Sequence, residues 1–491
     1  MPLFPTSQTG VTDFPTTASP TVITYAPSIA PSGGDQTEFP TTSSPTTAGQ
    51  TESPTTLDQT GSPTILGTIS SAPSVIGELA TDAPTLSIGT ESPTIPDQTE
   101  MPTTDPPTVP GSPLYFAGAA EAVGDDQDVD IVTPTLVEDA TVIDVSAGSR
   151  YSIVVLEDGT AQSAGYIEAE AGYTGHLGVP GTSVVEGVNA FQDIAVVYNE
   201  VDDEVTNAPP FTMAFAGAES ETSTGSIHSL LIDKDGNAWL FGSNAKGQLC
   251  LGDFDDRLIP QRIPLDQPVI SAAIGNEHTI LLLEDGTIYG CGSNEAGQLG
   301  LGDGVVAVDA PRQIEDVTDV VQVSAGHGSS YIKSTGGLYV TGSNLYGQLC
   351  IDTGGASVLT PALLDDVNVE IVASIEGIKS SAYILFNDGS VGACGRNNYG
   401  QLGDGSNEDR VRTVIAPLPD EVGIEVLGVG PSSDSIFFVN QNGDTYATGL
   451  NDNGQLGVGD ADDRNSLTLV LLEIDDRPVK VSASDSHTMF R

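Results

Sequence analysis

Across most of the chain, apolar residues come in short runs, and each run is cut by a glycine or an Asp-Gly pair. The clearest stretch is Ile280-Leu281-Leu282-Leu283, then Glu284-Asp285-Gly286, then Ile288-Tyr289-Gly290-Cys291-Gly292. Asp-Gly between two apolar runs is a strong hairpin signal, because both residues tolerate the positive φ that tight hairpin turns need. The hairpin is followed by Ser293-Asn294-Glu295-Ala296-Gly297-Gln298-Leu299, and close copies of that string end at Leu249, Leu349, Leu402 and Leu456. The glycines that lead these copies, 242, 292, 342, 395 and 449, are 50, 50, 53 and 54 residues apart. Each period encodes several short strands and no helix. A strand-only repeat of this length predicts propeller blades.

Two strings alternate in order: one of the form Ala-Gly-x-x-His-[Ser/Thr], the other Gly-x-Asn-x-x-Gly-Gln-Leu-Gly. In this pairing the chain resembles the regulator of chromosome condensation repeat family over residues 113–491. The resemblance implies an all-β, seven-bladed β-propeller. Degenerate copies at 161–178 (ending Gly175-His176-Leu177-Gly178) and at Leu114-Tyr115-Phe116-Ala117-Gly118 bring the Gly-Gln-Leu string to a count of seven, and the His-type string also recurs seven times. The domain opens on one string and ends on the other, at Ser484-Asp485-Ser486-His487-Thr488. The last strands should therefore pair with 114–140, so that N- and C-terminal strands close one blade and remove an open edge.

Ahead of the repeats, 1–112 has a different composition. It holds most of the prolines and no Lys or Arg, the first basic residue being Arg150. A loose motif recurs at Thr12-Asp13-Phe14-Pro15-Thr16-Thr17, Thr37-Glu38-Phe39-Pro40-Thr41-Thr42, Thr51-Glu52-Ser53-Pro54-Thr55-Thr56 and Thr99-Glu100-Met101-Pro102-Thr103-Thr104. Proline at this density removes backbone donors and fixes φ, and few large side chains offset the entropy of ordering. The expectation is a disordered, acidic Pro/Thr/Ser-rich stalk or linker, either O-glycosylated or unmodified. Met1-Pro2-Leu3-Phe4-Pro5 shows neither a basic start nor an apolar core run. A cytoplasmic location is expected, or an extracellular or cell-surface one if a signal is missing from the N-terminus.

The formal net charge of −53 excludes nucleic acid as a direct partner, since phosphate binding needs clustered Lys and Arg, and it disfavours anionic membrane. No apolar stretch is long enough to insert in a bilayer. Residues 1–112 hold 11 acids, so −42 falls on the repeats themselves. Such a field steers partners with a basic surface.

The candidates for chemistry read mainly as structure. His228, His278 and His487 share one repeat slot, filled elsewhere by Tyr151, Ser329, Ser380 and Ser433; residues a blade apart do not converge on one substrate. The Asn residues 244, 294 and 344 should hold loop backbone. Cys250 and Cys350 stand where another copy has Gly300, while Cys291 and Cys394 precede the repeated glycine. Free buried thiols are the preferred reading; disulfides Cys250–Cys291 and Cys350–Cys394 are the alternative in an oxidising compartment. The acidic loops at 252–256, 404–409 and 459–463 follow no calcium-loop pattern and read as solvated charge. No catalytic triad, metal-protease or phosphate-loop motif occurs, so no catalytic residue and no cofactor is assigned. One insertion, about 182–225, carries Asp202, Asp203, Glu204, Pro209, Pro210 and Phe211 as candidate partner-binding residues. In the family's namesake a protruding wedge engages a small GTPase, so the resemblance implies a comparable use here; the alternative, and the preferred reading of the residues, is a neutral surface excursion. The expected function is non-enzymatic protein–protein interaction. The alternatives are guanine-nucleotide exchange on a small GTPase, or a secreted or surface binding propeller on a glycosylated stalk.

Overall fold

The computed structural model describes residues 111–119, 130–165, 175–179, 188–199, 204–219, 226–415, 423–472 and 477–491. The predicted stalk lies outside the described residues, save for its last two, and the first strand begins at Ser112. Apart from a single 3₁₀ turn at Val369–Ile371, the regular structure of the described residues is all strand.

The strands form six hydrogen-bonded sheets: one of seven strands, one of six and four of four. The seven-stranded sheet is two blades sharing one long strand. The first part of Ile131–Gly148 pairs with Ser112–Gly118, and its second part pairs with Tyr151–Leu156. Divided there, the described strands make seven four-stranded meanders. Blade 1 comprises the end of Ile131–Gly148 with Tyr151–Leu156, Ala161–Gly165 and Val188–Asp193. Blades 2 to 6 start at the innermost strands Phe211–Ala216, Val269–Ile274, Val320–Ala325, Val372–Ile378 and Ile424–Gly428. Blade 7 takes Val481–Ala483 and His487–Phe490 from the C-terminus and Ser112–Gly118 with the start of Ile131–Gly148 from the N-terminal side. The closing register is Tyr115 opposite Phe490 and Gly118 opposite His487. The expected pairing of N- and C-terminal strands is thus present.

Apolar burial follows from this layering. Alternate residues of each strand face the neighbouring blade, so both faces of a sheet are covered and the runs read as continuous apolar sequence. One apolar cluster fills each seam. Ile153, Phe211, Trp239 and Phe241 lie between blades 1 and 2. Phe437, Val481 and Phe490 lie between 6 and 7. Leu114, Phe116, Val145, Val154 and Met489 seal 7 against 1. The seven innermost strands surround a cavity of ≈ 310 Å³.

Inserted between blades 1 and 2 is the hairpin Val196–Asn199/Glu204–Asn207. It adds to the outer edge of blade 2, through Tyr198 opposite Gln261. The predicted insertion is therefore part strand: it also supplies the outer strand of blade 1 and the innermost strand of blade 2.

Candidate partner-binding face

Within each blade the loop after the first strand and the loop after the third leave on the same side. The third-strand loops carry the Gly-x-Asn-x-x-Gly-Gln-Leu string, and its side chains explain its spacing. Asn Oδ1 accepts from the Leu N–H five residues on, at 2.9 Å in each of Asn244, Asn294, Asn344, Asn397 and Asn451. Gln Oε1 accepts from the N–H two residues before it, at 2.9–3.0 Å for Gln248, Gln298, Gln348, Gln401 and Gln455. Buried amide side chains thus stand in for the strand partners that loop backbone lacks. The loop tip then reaches the next blade's outer strand: Gly252 N–H donates to Asp309 O, Gly302 to Leu359 O, Gly405 to Asn465 O and Gly459 to Val132 O. These loops overlap like tiles around the ring.

The acidic loops are built from their own carboxylates. Asp256, Asp409 and Asp463 each accept from the N–H of the motif Asn, at 2.7–2.8 Å. Asp253, Asp404 and Asp460 pair with Arg257, Arg410 and Arg464 at 2.6–2.7 Å. Hydrogen bonds from the neighbouring loop and arginine hold Asp253 and Asp404 below the usual carboxylate range, although partial burial pushes the other way. These carboxylates hold loop shape, and among the described residues no group of three or more His, Cys, Asp or Glu is placed to hold a metal.

The histidine slot also serves the seams. His228, His278 and His487 are fully buried. Their Nε2 atoms meet Thr279, Ser330 and Ser152 of the next blade at 2.9, 3.0 and 2.9 Å. Thr279 and Ser330 in turn donate to Gln248 O and Gln298 O, the preceding blade's loop. Burial pushes the three imidazoles down to about 3, 4 and 3, so all are neutral. The register corrects two slot assignments. The residues opposite Gly395 and Gly449 are Ser381 and Ser435, not Ser380 and Ser433. In blade 6 the connection Gly430-Pro431-Ser432-Ser433-Asp434 is longer than its counterparts, which shifts the count there; in blade 5 the turn has the usual length and the register simply selects Ser381 over its neighbour Ser380. In the serine-slot blades 4 and 5, a tyrosine two residues on supplies the bond to the loop: Tyr331 donates to Gln348 O at 2.9 Å and Tyr383 to Gln401 O at 2.7 Å.

All four cysteines are bonded, as Cys250–Cys291 and Cys350–Cys394, each with Cα atoms 5.4 Å apart. The free-thiol reading is corrected. Cys250 and Cys350 adopt φ of 59° and 58°, beside 66° and 65° at Gly300 and Gly457. The left-handed turn needed by Gln-Leu-Gly persists with a Cβ, and that Cβ carries the sulfur to the next blade.

The exposed layer of this face is mixed. Phe254, Val306 and Leu345 project from consecutive loops at 54%, 60% and 66% exposure. Exposed Asp255, Asp256, Glu295 and Asp303 stand on the blade 2 and blade 3 loops that carry Phe254 and Val306. Nearer the axis, first-strand loops link blade to blade through Asn276 N–H to His327 O, His327 N–H to Lys379 O and Lys379 N–H to Ser433 O. There Lys379 pairs with Asp434 at 3.1 Å. Burial raises Asp485 to about 6 against the easing fields of Lys379 and Arg150.

The residues singled out in the insertion are dispersed. Asp202 and Asp203 lie outside the described residues. Glu204 and Pro210 are exposed and Pro209 is half-buried. Phe211, 1% exposed, is core between blades 1 and 2. Sequence reasoning did not pick out Phe254, Val306 and Leu345, although each is an apolar residue in a polar loop string.

Known proteins resemble this chain in repeat sequence and in fold. The regulator of chromosome condensation (RCC1) repeat model matches residues 235–282, 285–332 and 442–491, and a second model of the same repeat matches 269–298. The human X-linked retinitis pigmentosa GTPase regulator is 32% identical over 96 residues, 19% of this chain and 9% of that protein. The Drosophila melanogaster regulator of chromosome condensation is 31% identical over 102 residues, 20% of this chain and 18% of that protein. The chain thus matches under a fifth of either relative's length. Prp20p from Saccharomyces cerevisiae, whose solved structure is described with its binding to Gsp1p and histones, superposes with a TM-score of 0.61 at 18% identity. That superposition covers 78% of this chain and 91% of Prp20p, and the likeness is one of fold.

Proposed function

We propose that this chain, a β-propeller of regulator of chromosome condensation repeats, is a non-enzymatic protein-interaction module that receives its partner on the tiled loop face. The observation that carries the reading is the row Phe254, Val306 and Leu345, with carboxylates on the loops of the first two, on loops locked by buried amides. Apolar anchors on a rigid support, with acidic neighbours, suit a partner with a basic, partly apolar surface. Pre-ordered loops lose little entropy on docking. The exposed hairpin residue Glu204 offers the partner a second contact at the outer edge of blade 2. The test compares the full chain with a Phe254→Asp/Leu345→Asp variant in affinity capture from the native source. A partner retained by the first and lost by the second, at unchanged melting temperature, supports the reading; identical capture by both refutes it.

A second reading is nucleotide exchange on a small GTPase, favoured by the name of the human relative and by the binding of Prp20p to Gsp1p. Nucleotide release from a panel of small GTPases, with and without the full chain, tests it. No acceleration across the panel removes this reading and leaves the first intact. A third reading, of a secreted or surface propeller, draws support from the two disulfides, which persist where the medium is oxidising. Four alkylatable thiols in protein from its native source would overturn it.

A further inference from the structure

The cavity at the axis has a built interior. On six of the seven innermost strands a side chain stands opposite the third position of the second strand: Ser146, Phe215, Ala273, Ser324, Glu376 and Ser482 are equivalent by register, and the seventh position is Gly428. Three of the four polar ones lace the ring. Ser146 Oγ accepts from Ala216 N–H at 2.8 Å, Ser324 Oγ from Gly377 N–H at 3.0 Å and Ser482 Oγ from Ala147 N–H at 2.9 Å, each on the next blade. Glu376 holds the same slot but turns back to the preceding blade, where Gln322 Nε2 donates to its Oε1 at 2.6 Å. Gln322 is itself fixed, its Oε1 accepting from Ile375 N–H.

Glu376 is in no ion pair among the described residues. The cation whose field reaches it, Lys480, is held by Asp144, whose other oxygen accepts from Ala214 N–H at 2.9 Å. Burial raises the Glu376 carboxyl to about 7, against the hydrogen bonds from Ser324 and Gln322 and the field of Lys480. An ionised carboxylate at the wall of a small cavity gains from a cation that replaces its lost hydration. Lys480 lines the same cavity, its charge already paired with Asp144, and the wall also carries Phe215, Ile274, Leu427 and Val429, with Ser271. The propeller's charge of −42 concentrates cations around the molecule.

We propose that the central cavity is a binding site for a primary ammonium group on a short aliphatic stem, with the Glu376 carboxylate as its counter-ion. The nitrogen donates to Glu376, and the stem lies against Phe215, Leu427 and Val429. Neither the partner-binding reading nor the exchange reading is needed for this site.

The probe is n-butylammonium, titrated calorimetrically into the full chain at pH 8, with n-butanol as its neutral counterpart. A parallel titration with a peptide carrying one lysine distinguishes a free amine from a side chain delivered by a protein. Saturable binding of butylammonium, at least 10-fold tighter than butanol, is expected. Lowering the pH to 5.5 should weaken it by about 30-fold as Glu376 protonates. Glu376→Gln keeps the size and the bond from Gln322, so its melting temperature should stay near wild type while binding falls at least 10-fold. Ser271→Leu fills the cavity and leaves the carboxylate, and should abolish binding. Absence of heat with butylammonium overturns the proposal. So does binding that survives Glu376→Gln, or that is equal at the two pH values.

Discussion

Four consecutive seams solve one problem in two ways. In each, the residue just before the repeated glycine reaches back to the preceding blade's loop. At seams 2–3 and 4–5 it is a cysteine, and the link is covalent: Cys291 to Cys250 and Cys394 to Cys350. At seams 3–4 and 5–6 it is a threonine, and the link is a hydrogen bond: Thr341 Oγ1 to Gly297 O at 2.7 Å, Thr448 Oγ1 to Gly400 O at 2.8 Å. The loop residue covaries with it inside this one chain, Cys250 and Cys350 in the covalent seams, Gly300 and Gly403 in the others. The contact is thus set by the fold, and its chemistry is free to change as long as both ends change together. The covalent ends accept a left-handed backbone with a side chain, at about 1–2 kcal/mol.

The largest test of this comparison is removal of the staples. Each disulfide closes a loop of sequence separation 41 or 44. Chain entropy then gives a stabilisation of about 4 kcal/mol apiece. Cys291→Ala and Cys394→Ala should each lower stability by about that amount in denaturant titration, and dithiothreitol should mimic both together. A reduced chain as stable as the oxidised one would show that the two kinds of seam are equivalent.

Acid comes next, because it distinguishes seams by histidine rather than by sulfur. His278 bridges seam 3–4 and is held neutral, its pKa depressed from 6.5 to about 4. Below pH 6.5 the unfolded chain takes up the proton and the folded chain does not, so stability falls with pH. At pH 5 the loss is about 2 kcal/mol for this residue. Glu376 and Asp485 act with the opposite sign. Their folded values are raised, to about 7 and about 6, so the folded state binds protons first and gains stability as pH falls through that range. His228 and His487, held at about 3, add losses of the same sign as His278, and the three together outweigh the two carboxyls. Stability should therefore fall moderately from pH 7 to about 5.5 and more steeply below pH 5, where the carboxyl gains level off toward their unfolded values while the histidine losses go on. His278→Gln should flatten the drop by about 2 kcal/mol at pH 5, measured by urea titration; an unchanged profile would remove the histidine from the account of that seam.

The two chemistries also show where sequence reading succeeds. The period, the strand-only blades and the closing of N- against C-terminal strands were legible, because hairpin turns and apolar runs are local signals and the two alternating strings mark the order. The structural role of Asn244, Asn294 and Asn344 was legible for the same reason. The disulfides were visible only as matched spacings. Choosing them over thiols needed the knowledge that Gln-Leu-Gly ends in a left-handed residue aimed at the next blade, which is a three-dimensional fact. The slot shift to Ser435 was hidden because a string count cannot see where a longer turn ends, and the shift to Ser381 because only strand register tells the adjacent serines 380 and 381 apart. Phe211 was misleading: Pro209-Pro210-Phe211 looks like a loop apex, yet Phe211 opens the innermost strand of blade 2. The exposed row Phe254, Val306 and Leu345 escaped because each residue is unremarkable alone and gains meaning only when consecutive loops tile one face.

A smaller effect is expected from the threonines. Thr341 also donates to Val358 O at 2.9 Å, so its hydroxyl touches both the preceding blade's loop and its own outer strand. Thr341→Val keeps the shape and removes the hydroxyl. The loss should be about 1–2 kcal/mol by denaturant titration, since a buried carbonyl retains only part of its bonding. A loss near 4 kcal/mol would equate the hydrogen-bonded seam with the covalent one.

The smallest expected change asks whether one kind of seam converts to the other. At Gly403, whose φ is 66°, an added Cβ would lie 3.2 Å from Thr448 Cγ2, the very side chain a disulfide would replace. At Gly300 it would lie 2.8 Å from Pro361 Cδ. Gly403→Cys/Thr448→Cys should therefore form a third disulfide readily, with a loop closure worth about 4 kcal/mol. Against it stand about 1–2 kcal/mol for a side chain in the left-handed region and about 1–2 kcal/mol for the lost threonine bonds. The net gain should be about 1 kcal/mol, read as the difference between oxidised and wild-type denaturation midpoints. Gly300→Cys/Thr341→Cys should gain less, because Pro361 must shift. If the Gly403/Thr448 pair oxidises and the protein is nonetheless several kcal/mol weaker than wild type, the seams are not interchangeable, and the cysteine seams depend on backbone features beyond the two linked positions.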